Sequence, residues 1–69
     1  MNINFTNHAK RRIVKRNILE QEVIDAIKYP DRTTKKYNKY YFQKNIGRGI
    51  IEVVCEIENN IKVITIYWM

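Results

Sequence analysis

Residues 51–68 constrain this chain's fold more than any other stretch. Ile51, Val53, Cys55 and Ile57 alternate with Glu52, Val54, Glu56 and Glu58, the period of a strand with one strongly apolar face. Asn59-Asn60 follows, and asparagine tolerates the left-handed backbone that a two-residue hairpin turn demands. Ile61 to Trp68 is then the returning strand. With that turn, Ile57 faces Lys62, Cys55 faces Ile64, Val53 faces Ile66 and Ile51 faces Trp68. The expected inner face is Ile51, Val53, Cys55, Ile57, Ile64, Ile66 and Trp68. The outer face carries Glu52, Glu56, Val63, Thr65 and Tyr67.

The N-terminal half supplies a cover for that apolar face. Thr6 offers a hydroxyl as N-cap, and Phe5, Ala9 and Ile13 recur every four residues, which predicts a first helix over about 7–16 ended by Asn17. Met1 to Phe5 reads as a short extended lead-in. Leu19, Val23, Ala26 and Ile27 form a second helical stripe, with acids early and Lys28 late as the helix dipole favours. Pro30 forbids continuation, so the second helix is expected over about 19–28, joined to the first as a helical hairpin. Beyond Asp31 the period changes. Arg32 to Tyr37 is a weak strand, Asn38-Lys39 a turn, Tyr40 to Lys44 an aromatic strand, and Gly47-Arg48-Gly49 a turn. The order α-α-β-β-β-β predicts a single α+β domain over 1–69. In it an N-terminal helical hairpin packs on one face of a three- to four-stranded antiparallel sheet.

Composition narrows the class. Sixty-nine residues allow only a thin core. One cysteine forms no internal disulfide, no metal-ligand cluster is visible, and no cofactor is implied. No apolar run approaches the ~18 residues of a membrane span and no signal-peptide pattern opens the chain, so the expected setting is the cytoplasm. Thirteen Lys+Arg against seven Asp+Glu give +6, unevenly spread. Residues 1–16 hold five cations and no acid, residues 17–49 seven cations and four acids, and residues 50–69 one cation and three acids. A basic front and middle points to a polyanionic partner such as a nucleic acid.

The first helix concentrates this charge. His8, Arg12 and Arg16 fall at i, i+4 and i+8, on one face that borders the buried seam. A histidine titrates near neutrality and serves as general acid or base, while guanidiniums present forked donors that match phosphate oxygens. Lys10, Arg11 and Lys15 add general electrostatic attraction. The middle section interleaves Lys35, Lys36, Lys44 and Arg48 with Tyr40 and its neighbouring rings, a pattern suited to single-stranded RNA. Thr65 is a further hydroxyl donor. Cys55 points inward as a small core residue, and Glu52 and Glu56 fall on the open face as solubilising acids or balancing charges.

The pattern His8-Ala9-x-x-Arg12-x-x-x-Arg16-x-Ile18, a second helix ending near Pro30 and a closing Val-Ile-Thr-Ile segment (Val63 to Ile66) resemble a small bacterial and phage domain family of unknown function. That family usually has Gly where this chain has Asn17. By helix and strand order the chain is also similar to the barnase–EndoU–colicin–RelE group of compact RNases and RelE/ParE-like toxins. The resemblance implies metal-independent RNA cleavage through 2′-hydroxyl attack, with His8, Arg12, Arg16 and Thr65 at the family's catalytic positions and a cognate antitoxin as partner. Two other functions stay open on the residues alone. One is a non-catalytic nucleic-acid-binding module and the other a protein-interaction module.

Overall fold

The computed structural model describes residues 2–69. Its elements are β1 (Ile3–Phe5), α1 (Asn7–Lys15), α2 (Glu20–Lys28), β2 (Arg32–Lys36), β3 (Lys39–Asn45), β4 (Ile50–Ile57) and β5 (Ile61–Trp68). The architecture is α+β, two helices on a five-stranded mixed sheet of order β1-β5-β4-β3-β2. Among the described residues, no helix is long and apolar enough to cross a membrane.

Local chemistry fixes both ends of α1. Thr6 Oγ1 accepts from the Ala9 N–H at 3.0 Å, the expected N-cap. At the other end Ile18 N–H reaches the Ile13 carbonyl at 2.8 Å and Asn17 N–H reaches Val14 at 3.3 Å. Asn17 sits at φ 56°. This is a Schellman stop with Asn17 in the left-handed position, and Ile13 and Ile18 are both buried beneath it. The buried residue at the start of α2 is Ile18, not the expected Leu19. Leu19 is the N-cap and is 64 % exposed, with its N–H held by Glu22 Oε1 at 2.9 Å.

The sheet differs from expectation in three ways. Residues 3–5 are a fifth strand, parallel to β5, so the sheet is mixed and not a three- to four-stranded antiparallel one. Half-buried Ile3 and Phe5 pack against the core, which a free lead-in would not do. Second, the helices do not form a self-packed hairpin; α1 seats on β5 and β1, and α2 on β4 and β3. Third, the β4–β5 register slips by one at Val54/Cys55. Ile51↔Trp68 and Val53↔Ile66 pair as expected, but Cys55 faces Val63 and Ile57 faces Ile61. A bulge at Ile64 and a longer loop through Glu58-Asn59-Asn60 absorb the slip. Because side chains alternate, the bulge turns Val63 into the core and leaves Ile64 only half-buried, the reverse of the expected faces.

The core lies between sheet and helices. Ala9, Ile13, Val23 and Ala26 meet Ile51, Val53, Cys55, Val63 and Ile66 there. β1 pairs only with Ile61–Val63, so the rest of the β5 edge has no neighbouring strand. The chain running into α1, and α1 itself, take its place. Thr6 Oγ1 donates to the Ile64 carbonyl at 3.3 Å, and Arg16 Nη1 donates to the Ile66 carbonyl at 2.6 Å. The basic helix therefore runs along a sheet edge.

Candidate nucleic-acid interface

The α1 stripe divides into a free half and a tethered half. His8 is exposed, and its Nε2 accepts from Arg12 Nε at 3.3 Å. Acceptance at Nε2 requires the lone pair there, so the imidazole proton of this arrangement sits on Nδ1. Arg16, one turn on, spends a donor on the Ile66 carbonyl and is held beside the edge strand by that bond. Lys10, Arg11 and Lys15 are exposed on the remaining faces of α1. His8 and Arg12 thus come together as an acid/base group beside a guanidinium, with Arg16 set against β5.

Thr65 lies on the other side of the sheet. It pairs with Val54, between the inward-facing Val53 and Cys55, and so shares the open face with Glu52 and Tyr67. Nothing ties it directly to the stripe. The helix and Thr65 meet along the β5 edge, where Arg16 bonds the carbonyl of Ile66, the residue after Thr65.

The middle cations go to different places. Lys36 pairs with Lys39 on the open face. Lys35 faces the helix side, where its Nζ stands 5.4 Å from the Tyr40 ring centroid. Lys44 donates to the Tyr29 carbonyl at 2.7 Å, covering the end of α2. Arg48 is the most committed of all. It donates to both carboxylate oxygens of Glu22, at 3.1 and 2.7 Å, and to the Asn17 carbonyl at 2.6 Å, while its carbon centre lies 5.1 Å from the Trp68 ring. That hydrogen bonding, ahead of a smaller opposing desolvation, holds the Glu22 carboxyl below its ordinary value and raises Arg48. Lys44 and Arg48 are therefore joints of the fold as much as surface charges.

The open face holds a centre that residue types alone did not single out. Glu52 is the buried polar side chain of the described residues, at 8 % exposure. Gln43 Nε2 donates to its Oε1 at 2.9 Å, and the Tyr67 hydroxyl donates to its Oε2. That bond to Glu52, with desolvation behind it, pushes the Tyr67 phenol up to about 12. The signal was present in the expected pairing, which already set Glu52 opposite Tyr67. Cys55, by contrast, is buried in the core and pushed up to about 12 by desolvation, which makes it inert. Among the described residues no group of three His, Cys, Asp or Glu side chains is placed to share a metal ion.

A model of the family described as Domain of unknown function (DUF4258) matches residues 5–68, from the end of β1 to the end of β5. No curated protein and no solved structure matches the chain.

Proposed function

The chain belongs to the DUF4258 family, and from that premise we propose that it is a metal-independent ribonuclease of RelE-like character, the toxin of a toxin–antitoxin pair acting in the cytoplasm. The observation that carries this reading is the His8–Arg12 contact at 3.3 Å on a helix that carries four cations and no acid. When an RNA phosphate draws the Arg12 guanidinium to its oxygens, His8 Nε2 is released as a base. It takes the proton of the 2′-hydroxyl, the 2′-oxygen attacks the adjacent phosphorus, and the P–O5′ bond breaks. The imidazolium then returns the proton to O5′, leaving a 2′,3′-cyclic phosphate and a 5′-hydroxyl. Arg12 and the free donors of Arg16 stabilise the charge that develops on the phosphoryl oxygens.

The test is direct. Purified protein incubated with end-labelled RNA in excess chelator yields cyclic-phosphate ends, and His8→Ala keeps RNA affinity while losing cleavage. RNA that is bound and left intact by the wild-type protein sinks the proposal.

A second reading is a non-catalytic RNA-binding module. The Lys35–Tyr40 stack favours it, because a ring already paired with a cation is a ready surface for a base. Under that reading His8→Ala changes nothing beyond affinity. An antitoxin partner would be acidic and would cover α1 with the nearby exposed Val14 (78 %) and Leu19 (64 %).

A further inference from the structure

Glu52 is a buried carboxylate on a sheet face that no helix covers, and the cross-strand register shows what surrounds it. One row across the open face reads Arg32, Gln43, Glu52, Tyr67. The next reads Thr34, Tyr41, Val54, Thr65, and the third Lys36, Lys39, Glu56, Lys62. Aromatic and amide groups thus occupy the centre, with cations toward β2 and the hairpin end.

The centre is polarised in one direction. Tyr67 turns its only proton to Glu52, so toward a ligand it is a pure acceptor. Gln43 must turn its amide N–H to the carboxylate, because the flipped amide would set two oxygens against each other. Its carbonyl oxygen is left over. Tyr41 and Tyr67 stand on the same face in adjacent rows, on the two strands that flank β4. At the margin, Lys36 stands directly opposite Lys39, an arrangement that costs a sheet stability. The 3.6 Å ion pair of Lys39 with Glu56 offsets it only in part, since both partners are well exposed. Acceptors in the middle, π-faces beside them and a surplus of cations around the edge match a ligand with an N–H-rich planar edge and an anionic backbone.

We propose that the open sheet face is a base-reading platform for single-stranded RNA that selects guanine. The ring stacks on Tyr41, the N1–H and N2–H groups donate to Tyr67 Oη and Gln43 Oε1, and flanking phosphates lie on Arg32, Lys36 and Lys39. Guanine is the base with two adjacent donors on that edge. Uracil offers one N–H between two carbonyls, which the Glu52 charge repels. The platform rests on the RNA-binding part of the proposed function and is independent of cleavage.

Fluorescein-labelled 2′-O-methyl hexanucleotides, which lack the nucleophile and stay whole, provide the test. The probes are hexauridylate, the same strand with one central guanosine, and the same strand with inosine, which lacks the 2-amino group. The guanosine strand binds roughly tenfold more tightly than hexauridylate, with inosine between them. Tyr67→Phe and, independently, Gln43→Met erase the difference between the guanosine strand and hexauridylate, the two strands being compared on the same variant. Equal binding of the three strands overturns the platform, as does failure of all three to bind, or a preference that survives in both folded variants. Strands bound without preference while ordinary RNA is still cut sink the platform and leave the nuclease standing. A guanosine preference with ordinary RNA left intact sinks the nuclease alone.

Discussion

Trp68 donates its indole N–H to the Arg16 carbonyl at 2.8 Å, while the Arg16 guanidinium donates to the Ile66 carbonyl at 2.6 Å. The last strand and the end of the first helix are thereby locked by two reciprocal bonds between residues fifty or more positions apart. Gly49 completes the joint. A Cβ there would stand 2.8 Å from the Trp68 ring, and its φ of 146° suits glycine. The joint sets where the α1 stripe stands relative to β5.

Trp68→Phe keeps a ring over the core edge and deletes the N–H. The Arg16 carbonyl is then left without its part-buried donor, at a cost of about 1–2 kcal/mol. Urea denaturation followed by far-UV circular dichroism reads this directly. An unchanged midpoint would show that solvent replaces the indole at no cost.

The Arg48–Glu22 pair gives the fold an acid-sensitive joint. A carboxyl held low in the folded state contributes stability that is present above its ordinary value near 4.5 and is lost as pH falls through the lower folded value. Glu22→Gln is therefore less stable than wild type at neutral pH, and the two converge in acid. The pair is partly exposed, so the gap is modest and shrinks with salt. Urea midpoints for both proteins at pH 7 and pH 3 check this, and a gap independent of pH refutes it.

Both helices and the β4–β5 hairpin were legible because each rests on local chemistry. Thr6, Asn17 and Pro30 mark boundaries, and the alternation of Ile51, Val53, Cys55 and Ile57 marks a strand with one apolar face. β1 was not legible as a strand, because three residues carry too little period and its partner, Val63 with its neighbours, is nearly sixty positions away. The bulge at Ile64 escaped because Val63, Ile64 and Ile66 are all β-branched and apolar, so either face accepts them by type. Of the candidate site, the His8–Arg12 contact follows from helical spacing alone. The commitments of Arg48 and Lys44 and the burial of Glu52 depend on long-range contacts that residue type does not announce.

The bulge itself makes a sharp prediction. Val63 is fully buried, whereas Ile64 is half-buried at the sheet edge. Val63→Ala costs about 2 kcal/mol, and Ile64→Ala costs less although it removes the larger side chain. Without the register slip the order reverses, so thermal midpoints of the two variants decide which residue faces the core.

Tyr37 offers a stabilising change. It occupies the β2–β3 turn at φ 59° and is 88 % exposed, so the ring gains little from packing while its backbone bears a left-handed conformation. Tyr37→Gly relieves that strain and raises stability by up to about 1 kcal/mol, offset by the chain entropy glycine adds to the unfolded state. Tyr37→Val, with a branched Cβ at the same φ, lowers it. Denaturant midpoints of the pair test the backbone argument, and equal shifts in both would refute it.

Arg12 and Arg16 separate function from fold within one stripe. Arg12 is half-buried and its guanidinium bonds only the exposed His8 among the described residues, so Arg12→Ala costs at most about 1 kcal/mol of stability. On the ribonuclease reading it lowers cleavage by about a hundredfold, because a preorganised charge at the phosphate is lost. Arg16→Lys keeps the charge but loses the part-buried Nη1 bond to the Ile66 carbonyl, and costs about 1–2 kcal/mol of stability. Its cleavage, measured well below its melting temperature, falls less than that of Arg12→Ala, since a cation still stands beside β5. Stability and cleavage measured side by side resolve the two roles. If both variants lose activity only in proportion to lost folding, the stripe is a structural edge cover and the phosphate clamp is refuted.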